Sequence, residues 1–369
     1  MGDAGSAAPT AGSASTQRKS IGSPVYELDP DGDVTLVVHD VPQDLPSDLK
    51  DLTPELLAGN SKSPKQTTSG QTAEQRPLSL RASSKHLGLA SRYFSRMFKS
   101  GFREGNELRN NGHIELVIKH EKANGIAFLV LMLIIHCRNS QVPRVVSREM
   151  LTAFAVLVDY YDCCDAVEVF SDMWIAAIEQ GRIGYVHQAL DWLLISWVFS
   201  KDARFRESSG VIITACNTTI TANGLPIPGA IIDMMDNKRT SFLQILIDDL
   251  HKQLIGSALD CLKHSKGGNR EICTASVFGT FTKRMVDLDI LTPKPQSPFP
   301  GIQIWKLLSE CSATKMQSPC ITDSHSPHDR CRLSARMSQV LQSHPKPAGL
   351  ELNMFREGKP PSKKVRPEA

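Results

Sequence analysis

The sequence is short of aromatic residues and has no strong excess of charge of either sign. Phe, Trp and Tyr make up 6% of its 369 residues, and 42 basic side chains against 39 acidic ones leave a net charge of +3. A dedicated nucleic-acid-binding domain is usually strongly basic, so this balance argues against nucleic acid as a partner. Glycine (24 residues) and proline (22 residues) occur at near-average frequency, which excludes a collagen-like or wholly disordered chain.

Long apolar runs are also missing. The longest, Ile126–Ile135, has ten residues, whereas a membrane-spanning helix needs about 20. We therefore expect a buried core helix here and no membrane partner. Residues 1–24 are small and polar and lack the apolar centre of a secretion signal. The sequence thus predicts an intracellular protein, in the cytoplasm or the nucleus, whose nine cysteines are reduced thiols.

Common catalytic and nucleotide-binding motifs are absent as well. The sequence contains no HExxH, GxSxG, GxGxxG or GxxxxGK[ST], which mark metalloproteases, serine hydrolases and nucleotide binders. We therefore expect a protein that is not an enzyme, with no cofactor and no small-molecule substrate. Asp29, Asp31 and Asp33 have the spacing of a calcium loop, but Val34 stands where that loop needs glycine and Asp40 where it needs glutamate. A turn leading into a strand explains them better.

Metal-ligand chemistry is concentrated in one polar segment. Its four ligand-type residues are Cys320, His325, His328 and Cys331. Thiolate and imidazole are the donors that zinc prefers, but the spacing C-x4-H-x2-H-x2-C is not that of a standard zinc finger. A polar loop with incidental cysteine and histidine is the preferred interpretation. The sequence therefore predicts no metal site, with zinc binding by these four residues as the alternative.

Composition and short-range pattern predict an α+β protein that includes segments without stable structure. Residues 1–24 and 41–76 hold few large apolar side chains, so both are expected to be disordered. Gly2 fits the loose pattern for N-myristoylation, and a plain disordered terminus is the preferred interpretation. Alternating or β-branched runs predict strands at 34–38, 78–82 and 113–118.

Helical periodicity covers most of the remaining chain. The predicted helices of the first half are 85–102, 123–137, 150–161, 166–177 and 185–205. Ser147 can cap the helix at 150–161, and the short connection to the next helix predicts an antiparallel pair. Residues 206–350 are expected to be a helical extension, and 351–369 a disordered basic tail. The helices predicted in the extension are 230–264, 275–288 and 301–310.

Four motifs occur in an order that is specific as a set. They are DGDVTLVV (31–38), LASRYFSRMF (89–98) with GFREG (101–105), ELVIKH (115–120) and LTAFAVLVDYYDCCDAVEVFSDMW (151–174). Together they resemble a BTB/POZ domain, in particular that of fungal BTB proteins. The resemblance covers residues 25–205, with 41–76 as an insertion, and implies a small β-sheet flanked by helical hairpins. Ser83 and Ser84 stand where the family commonly has a histidine.

The resemblance implies protein partners, and in particular a homodimer formed through the first helices of the domain. Asp33 matches the acidic residue before the first family strand, close to the dimer interface; alternatively, it completes the turn. The first helices supply Phe94, Phe98 and Phe102 as candidates for the interaction surface. Of these, Phe94 is expected in the core, and Phe102 is the better surface candidate.

The sequence therefore predicts a non-enzymatic interaction module that self-associates. Many BTB proteins are substrate adaptors of cullin-RING ubiquitin ligases, so an adaptor that binds a cullin is one alternative. A second alternative, a nuclear transcriptional co-regulator, is suggested by a basic cluster near the end of the sequence. Its residues are Lys359, Lys363, Lys364 and Arg366. A solvated tail is the simpler interpretation of this cluster.

Overall fold

The first elements of the chain build a four-stranded sheet. The computed structural model describes residues 25–39, 77–99, 101–118, 125–178, 181, 183–264, 270–313 and 333–356. The strands in these residues are β1 (Val25–Glu27), β2 (Val34–Val38), β3 (Leu78–Ala82) and β4 (Ile114–Ile118). Their order is β1-β3-β2-β4, so β1 and β4 form the two edges. The strands predicted at 34–38 and 78–82 are confirmed, and the third begins one residue later than predicted.

β2 is the strand that sets the register of the sheet. It pairs antiparallel with β3 and parallel with β4, so that Leu36 lies opposite both Leu80 and Leu116. Successive side chains of a strand point to opposite faces. Leu36 and Leu80 therefore face the core and are fully buried, whereas Thr35 and Val37 lie on the other face and are half-buried. One face of the sheet is covered, as the alternating pattern predicts.

Twelve helices lie in the described part of the chain. They are α1 (Ser84–Ala90), α2 (Arg92–Phe98), α3 (Arg103–Asn111), α4 (Gly125–Ile135), α5 (Arg148–Tyr161), α6 (Cys164–Ile178), α7 (Val186–Val198), α8 (Asp202–Ala215), α9 (Gly229–His264), α10 (Arg270–Asp287), α11 (Ile304–Ser312) and α12 (Leu333–Ser343). The fold class is therefore α+β, as predicted.

α4 is the central helix. All eleven of its residues are buried, as expected for a helix that is apolar all round. α1 packs against α4, and so do both members of the α5–α6 pair. Ser147 caps α5 as predicted, since its hydroxyl accepts a hydrogen bond from the backbone N–H of Met150 at 3.1 Å. Asp162, in the left-handed region with φ 49°, ends α5 and lets α6 begin two residues later.

The single helix predicted at 185–205 is wrong, because two helices occupy this stretch. α7 ends at Val198 and α8 begins at Asp202. Between them Ser200 adopts a left-handed φ of 60°, and the N–H of Lys201 bonds back to the carbonyl of Ser196 at 2.9 Å. A hydrogen bond of this kind closes a helix C-terminus. The apolar periodicity continues across the break, which is why the sequence did not show it.

The predicted helical extension is built from α9 to α12. α9 and α10 pack against each other, and α8 contacts both α9 and α11. The expected boundary after residue 205 falls inside α8, so the extension continues the packing of the module without a linker at that point. The tail expected to be disordered from residue 351 also differs. Leu352–Phe355 form a 3-10 helix that contacts α8, because Leu350 and Leu352 bury their side chains.

Two of the expected disordered segments lie outside the described residues, namely 1–24 and 41–76. Gly2, with its myristoylation pattern, lies there too. Among the residues that the structure does describe, no helix combines the length and apolarity needed to cross a bilayer.

Candidate interaction surface

Ser91 fixes the start of α2 against the end of α5. Its hydroxyl oxygen accepts from the N–H of Phe94 at 3.2 Å, and its O–H donates to the carbonyl of Tyr161 at 2.6 Å. The first bond is an N-cap, which a serine at this position commonly makes. The second joins two segments that are 70 residues apart. The first helices are thereby held in a defined orientation on the core.

Asp33 lies at the start of β2 and joins the sheet to α1. One carboxylate oxygen accepts from the N–H of Ser84 at 2.7 Å, and the other accepts from the hydroxyl of Ser84 at 2.6 Å. The carbonyl of Asp33 also accepts from the N–H of Ile114 at 3.1 Å. The side chain is half-buried and lies at the N-terminus of α1, where a negative charge is favourable. These bonds give Asp33 a structural role within one chain.

The three phenylalanines predicted for the interaction surface differ in exposure. Phe94 is 1% exposed and stacks on Tyr161 and on Phe98, with ring centroids 4.9 and 5.9 Å away. Phe94 is therefore a core residue and Phe98 is half-buried. Phe102, the residue that precedes α3, is 56% exposed. Of the three, Phe102 presents the most apolar surface to solvent.

Leu89 is an exposed apolar residue that the sequence analysis did not assign to the surface. Its side chain is 90% exposed, whereas Leu87, two residues earlier on α1, is fully buried. Two residues correspond to about 200° around a helix, so the two leucines lie on opposite faces. This offset from a buried leucine was the available signal. We call Leu89, Phe98 and Phe102 the α1–α3 face.

α3 was not predicted, and Gly105 explains how it packs. A Cβ atom at Gly105 would lie 2.7 Å from the carbonyl oxygen of Lys99 and 2.8 Å from that of Phe98. Only glycine permits this close approach to the backbone after α2. Gly112 ends α3 with a left-handed φ of 69°. The position of Phe102 thus depends on backbone contacts that apolar periodicity does not show.

A buried histidine links the start of α1 to α4 through two hydrogen bonds. Nε2 of His136 lies 3.0 Å from the N–H of Ser83, which can only donate, so Nε2 is the acceptor. Nδ1 must then carry the proton, and it donates to the carbonyl of Met132 at 2.9 Å. Burial lowers the pKa of His136, which keeps the imidazole neutral. The residue serves as a hydrogen-bond bridge between α4 and the first helix.

A cleft of about 380 Å³ lies between the edge strand β4 and the helices α2 and α3. All five residues of β4 line one side, and Tyr93 and Tyr160 line another. The rings of these tyrosines are 5.2 Å apart. Burial and a hydrogen bond with Tyr160 raise the pKa of Tyr93 to about 12, so the Tyr93 hydroxyl is uncharged at neutral pH. We call this feature the β4 cleft.

The charged residues of the β4 cleft are mainly acidic. Glu104 and Glu107 come from α3, and Glu115 comes from β4. Arg103 is the single basic residue of the lining, and its guanidinium lies 3.8 Å from the carboxylate of Glu107. The cleft therefore has an excess of negative charge beside an aromatic wall. No motif in the sequence pointed to it, because its residues come from four separate elements, namely α2, α3, β4 and α5.

The four residues of the alternative zinc site and the basic cluster lie outside the described residues. Residues 314–332 and 357–369 lie outside the described part of the chain. The first range contains Cys320, His325, His328 and Cys331. Among the described residues, no group of three or more His, Cys, Asp or Glu side chains is arranged to hold a metal ion.

Comparisons with known proteins give no identification. No family model, no curated protein and no solved structure matches the chain. The fold and surface define an α+β protein whose first helices expose two large apolar side chains, Leu89 and Phe102.

Proposed function

We propose that this chain is a protein–protein interaction module of the BTB/POZ type that self-associates through the α1–α3 face. The ordered motifs of residues 31–174 support the family, and so does a small sheet packed with paired helices around α4. The family resemblance implies that the first helices form the dimer contact. These are the helices on which the described chain exposes Leu89 and Phe102.

The exposure of Leu89 is the observation that carries the proposal. Its side chain is 90% exposed on a helix that Asp33 and Ser91 fix at both ends. Removing a leucine or phenylalanine side chain from water contributes about 1.5–3 kcal/mol each. A second copy of the chain that covers Leu89 and Phe102 would gain this energy with little reorganisation, because the helices are already ordered.

The test is the mass of the full chain in solution. Size-exclusion chromatography with light scattering at tens of micromolar should give about twice the chain mass of 40.6 kDa. The double variant Leu89→Glu, Phe102→Glu should give the monomer mass. Val169→Glu is the matched control, because Val169 is 79% exposed on α6, away from the first helices, and it should remain a dimer.

A wild-type monomer under these conditions would overturn the self-association proposal. So would dissociation of the Val169→Glu control to the same extent as the double variant. Stable co-purification of a cullin with the wild-type chain would favour the adaptor role instead.

A further inference from the structure

We propose that residues 362–366 (Ser-Lys-Lys-Val-Arg) bind in the β4 cleft of their own chain as an added strand on β4. This interaction goes beyond the proposed self-association and uses a different surface. Leu89 and Phe102 do not line the cleft.

The position of β4 at an edge of the sheet is the first observation that supports this proposal. β4 is the last strand of the order β1-β3-β2-β4, and within the described residues only β2 pairs with it. An edge strand carries a row of unpaired N–H and C=O groups that an extended peptide can satisfy. All five residues of β4 line the cleft, and Glu115 and Val117 are exposed there. A segment of five residues would match β4 in length.

Charge complementarity indicates that residues 362–366 are the segment that binds in the β4 cleft. Glu104, Glu107 and Glu115 outnumber the single Arg103 in the cleft. Within 362–366, three of the five residues are basic, namely Lys363, Lys364 and Arg366. The attraction between such groups is modest at a solvated surface, but it acts together with the backbone hydrogen bonds of an added strand.

The sequence of the segment also fits an added strand. Prolines at 361 and 367 bracket the five residues and leave all five backbone N–H groups available. Side chains alternate along a strand, so Lys364 and Arg366 would share one side and Val365 the other. Val365 can then pack on the aromatic wall, where Tyr160 is 52% exposed. Basic side chains can reach the glutamates.

The segment follows closely on the last described residue of the chain. Arg356, the last described residue, donates hydrogen bonds to the carbonyl of Trp197 and the hydroxyl of Ser200. The six steps from Arg356 to residue 362 span up to about 20 Å when extended. The tether therefore keeps the start of the segment within about 20 Å of Arg356.

The first experiment measures competition in the full-length chain. Lys363→Glu, Lys364→Glu and Arg366→Glu, made together, should release the segment from the cleft. A fluorescent peptide with the wild-type sequence 357–369 should then bind this variant at least tenfold more tightly than it binds the wild-type chain. The reason is that the tethered segment competes at a high effective concentration. Equal binding to both chains, or no binding to either, would overturn the proposal.

The site of binding is tested by neutralising the cleft. In the triple variant described above, from which the tethered segment is released, adding Glu107→Gln and Glu115→Gln should weaken peptide binding at least tenfold. Asp233→Asn with Glu271→Gln is the matched control, because it removes two exposed acidic charges from α9 and α10 and should leave binding unchanged. Equal loss in both pairs would show only a general charge effect and would overturn the assignment to the cleft.

Carbodiimide coupling distinguishes a tail bound in its own chain from one bound to a second copy. In a mixture of ¹⁵N-labelled and unlabelled wild-type chains, peptides that join Lys363 or Lys364 to a cleft glutamate should be wholly light or wholly heavy. Mixed pairs would overturn the intramolecular assignment. Light scattering of the released variant should still give the wild-type mass, so failure of this proposal is distinguishable from failure of the self-association proposal.

Discussion

At the scale of single residues, Asp33 makes a contact within its own chain that the sequence did not predict. The sequence placed it before the first strand, with a dimer contact or a turn as its role. In the structure both carboxylate oxygens accept hydrogen bonds from Ser84 at the start of α1. That partner lies 51 residues away, so local sequence could not reveal it.

Replacing Asp33 with alanine should reduce the free energy of unfolding by about 1–2 kcal/mol, because the N–H and hydroxyl of Ser84 lose their acceptor. Asp31→Ala is the matched control. Asp31 is an exposed carboxylate in the same turn, and its loss should change the free energy by less than about 0.5 kcal/mol. Urea unfolding followed by circular dichroism measures both. Equal losses would contradict a specific role for the Asp33–Ser84 contact.

At the scale of elements, the sequence was most informative where a helix or strand depends on its own pattern. The β-branched run of 34–38 and the uniform apolarity of α4 predicted both elements, and Ser147 marked the start of α5. The sequence did not predict features that depend on the detailed backbone conformation or on tertiary contacts. α3 depends on the fit of Gly105 against the carbonyl of Phe98, and the α7–α8 break depends on a left-handed Ser200. The β4 cleft combines four elements and has no local signature.

Arg239 provides the clearest test of how elements of the extension are joined. It is fully buried on α9, and its guanidinium donates to the carbonyls of Cys216, Pro298 and Phe299 at 3.1, 2.9 and 3.0 Å. Arg239→Met preserves much of the volume but leaves these three carbonyls without that donor. We expect the free energy of unfolding to fall by about 2–4 kcal/mol.

Lys238→Met serves as the control for Arg239→Met, because Lys238 is the neighbouring cation on α9 and donates to none of these carbonyls. It should unfold at nearly the wild-type urea concentration. If Arg239→Met also unfolded at nearly the wild-type urea concentration, Arg239 would not be the link between α9 and the segment before α11.

At the scale of the whole molecule, residues near the end of the described chain pack against α7 and α8 in its middle. The N–H of Leu350 donates to the hydroxyl of Ser209 on α8 at 2.8 Å, and Arg356 lies over the ring of Trp197 with 5.2 Å to its centroid. The sequence indicated a basic tail separate from the folded part, and residues 332–369 carry a net charge of +5. The structure shows that this stretch is folded as far as Arg356, where it packs on α7 and α8.

Gly349 allows residues 349–356 to pack closely against α8. A Cβ atom there would lie 1.8 Å from the carbonyl oxygen of Arg206 and 2.7 Å from the hydroxyl oxygen of Ser209. Gly349→Ala should therefore push residues 349–356 away from α8 and reduce the free energy of unfolding by about 1–3 kcal/mol. Hydrogen exchange of a peptide covering residues 345–356 should also accelerate. Gly184→Ala is the control, since a Cβ at Gly184 meets no atom within 4 Å, and both measurements should stay at wild-type values. Unchanged exchange in Gly349→Ala would contradict the docking of this segment on α8, because the added methyl group has no other place to go in the packed arrangement.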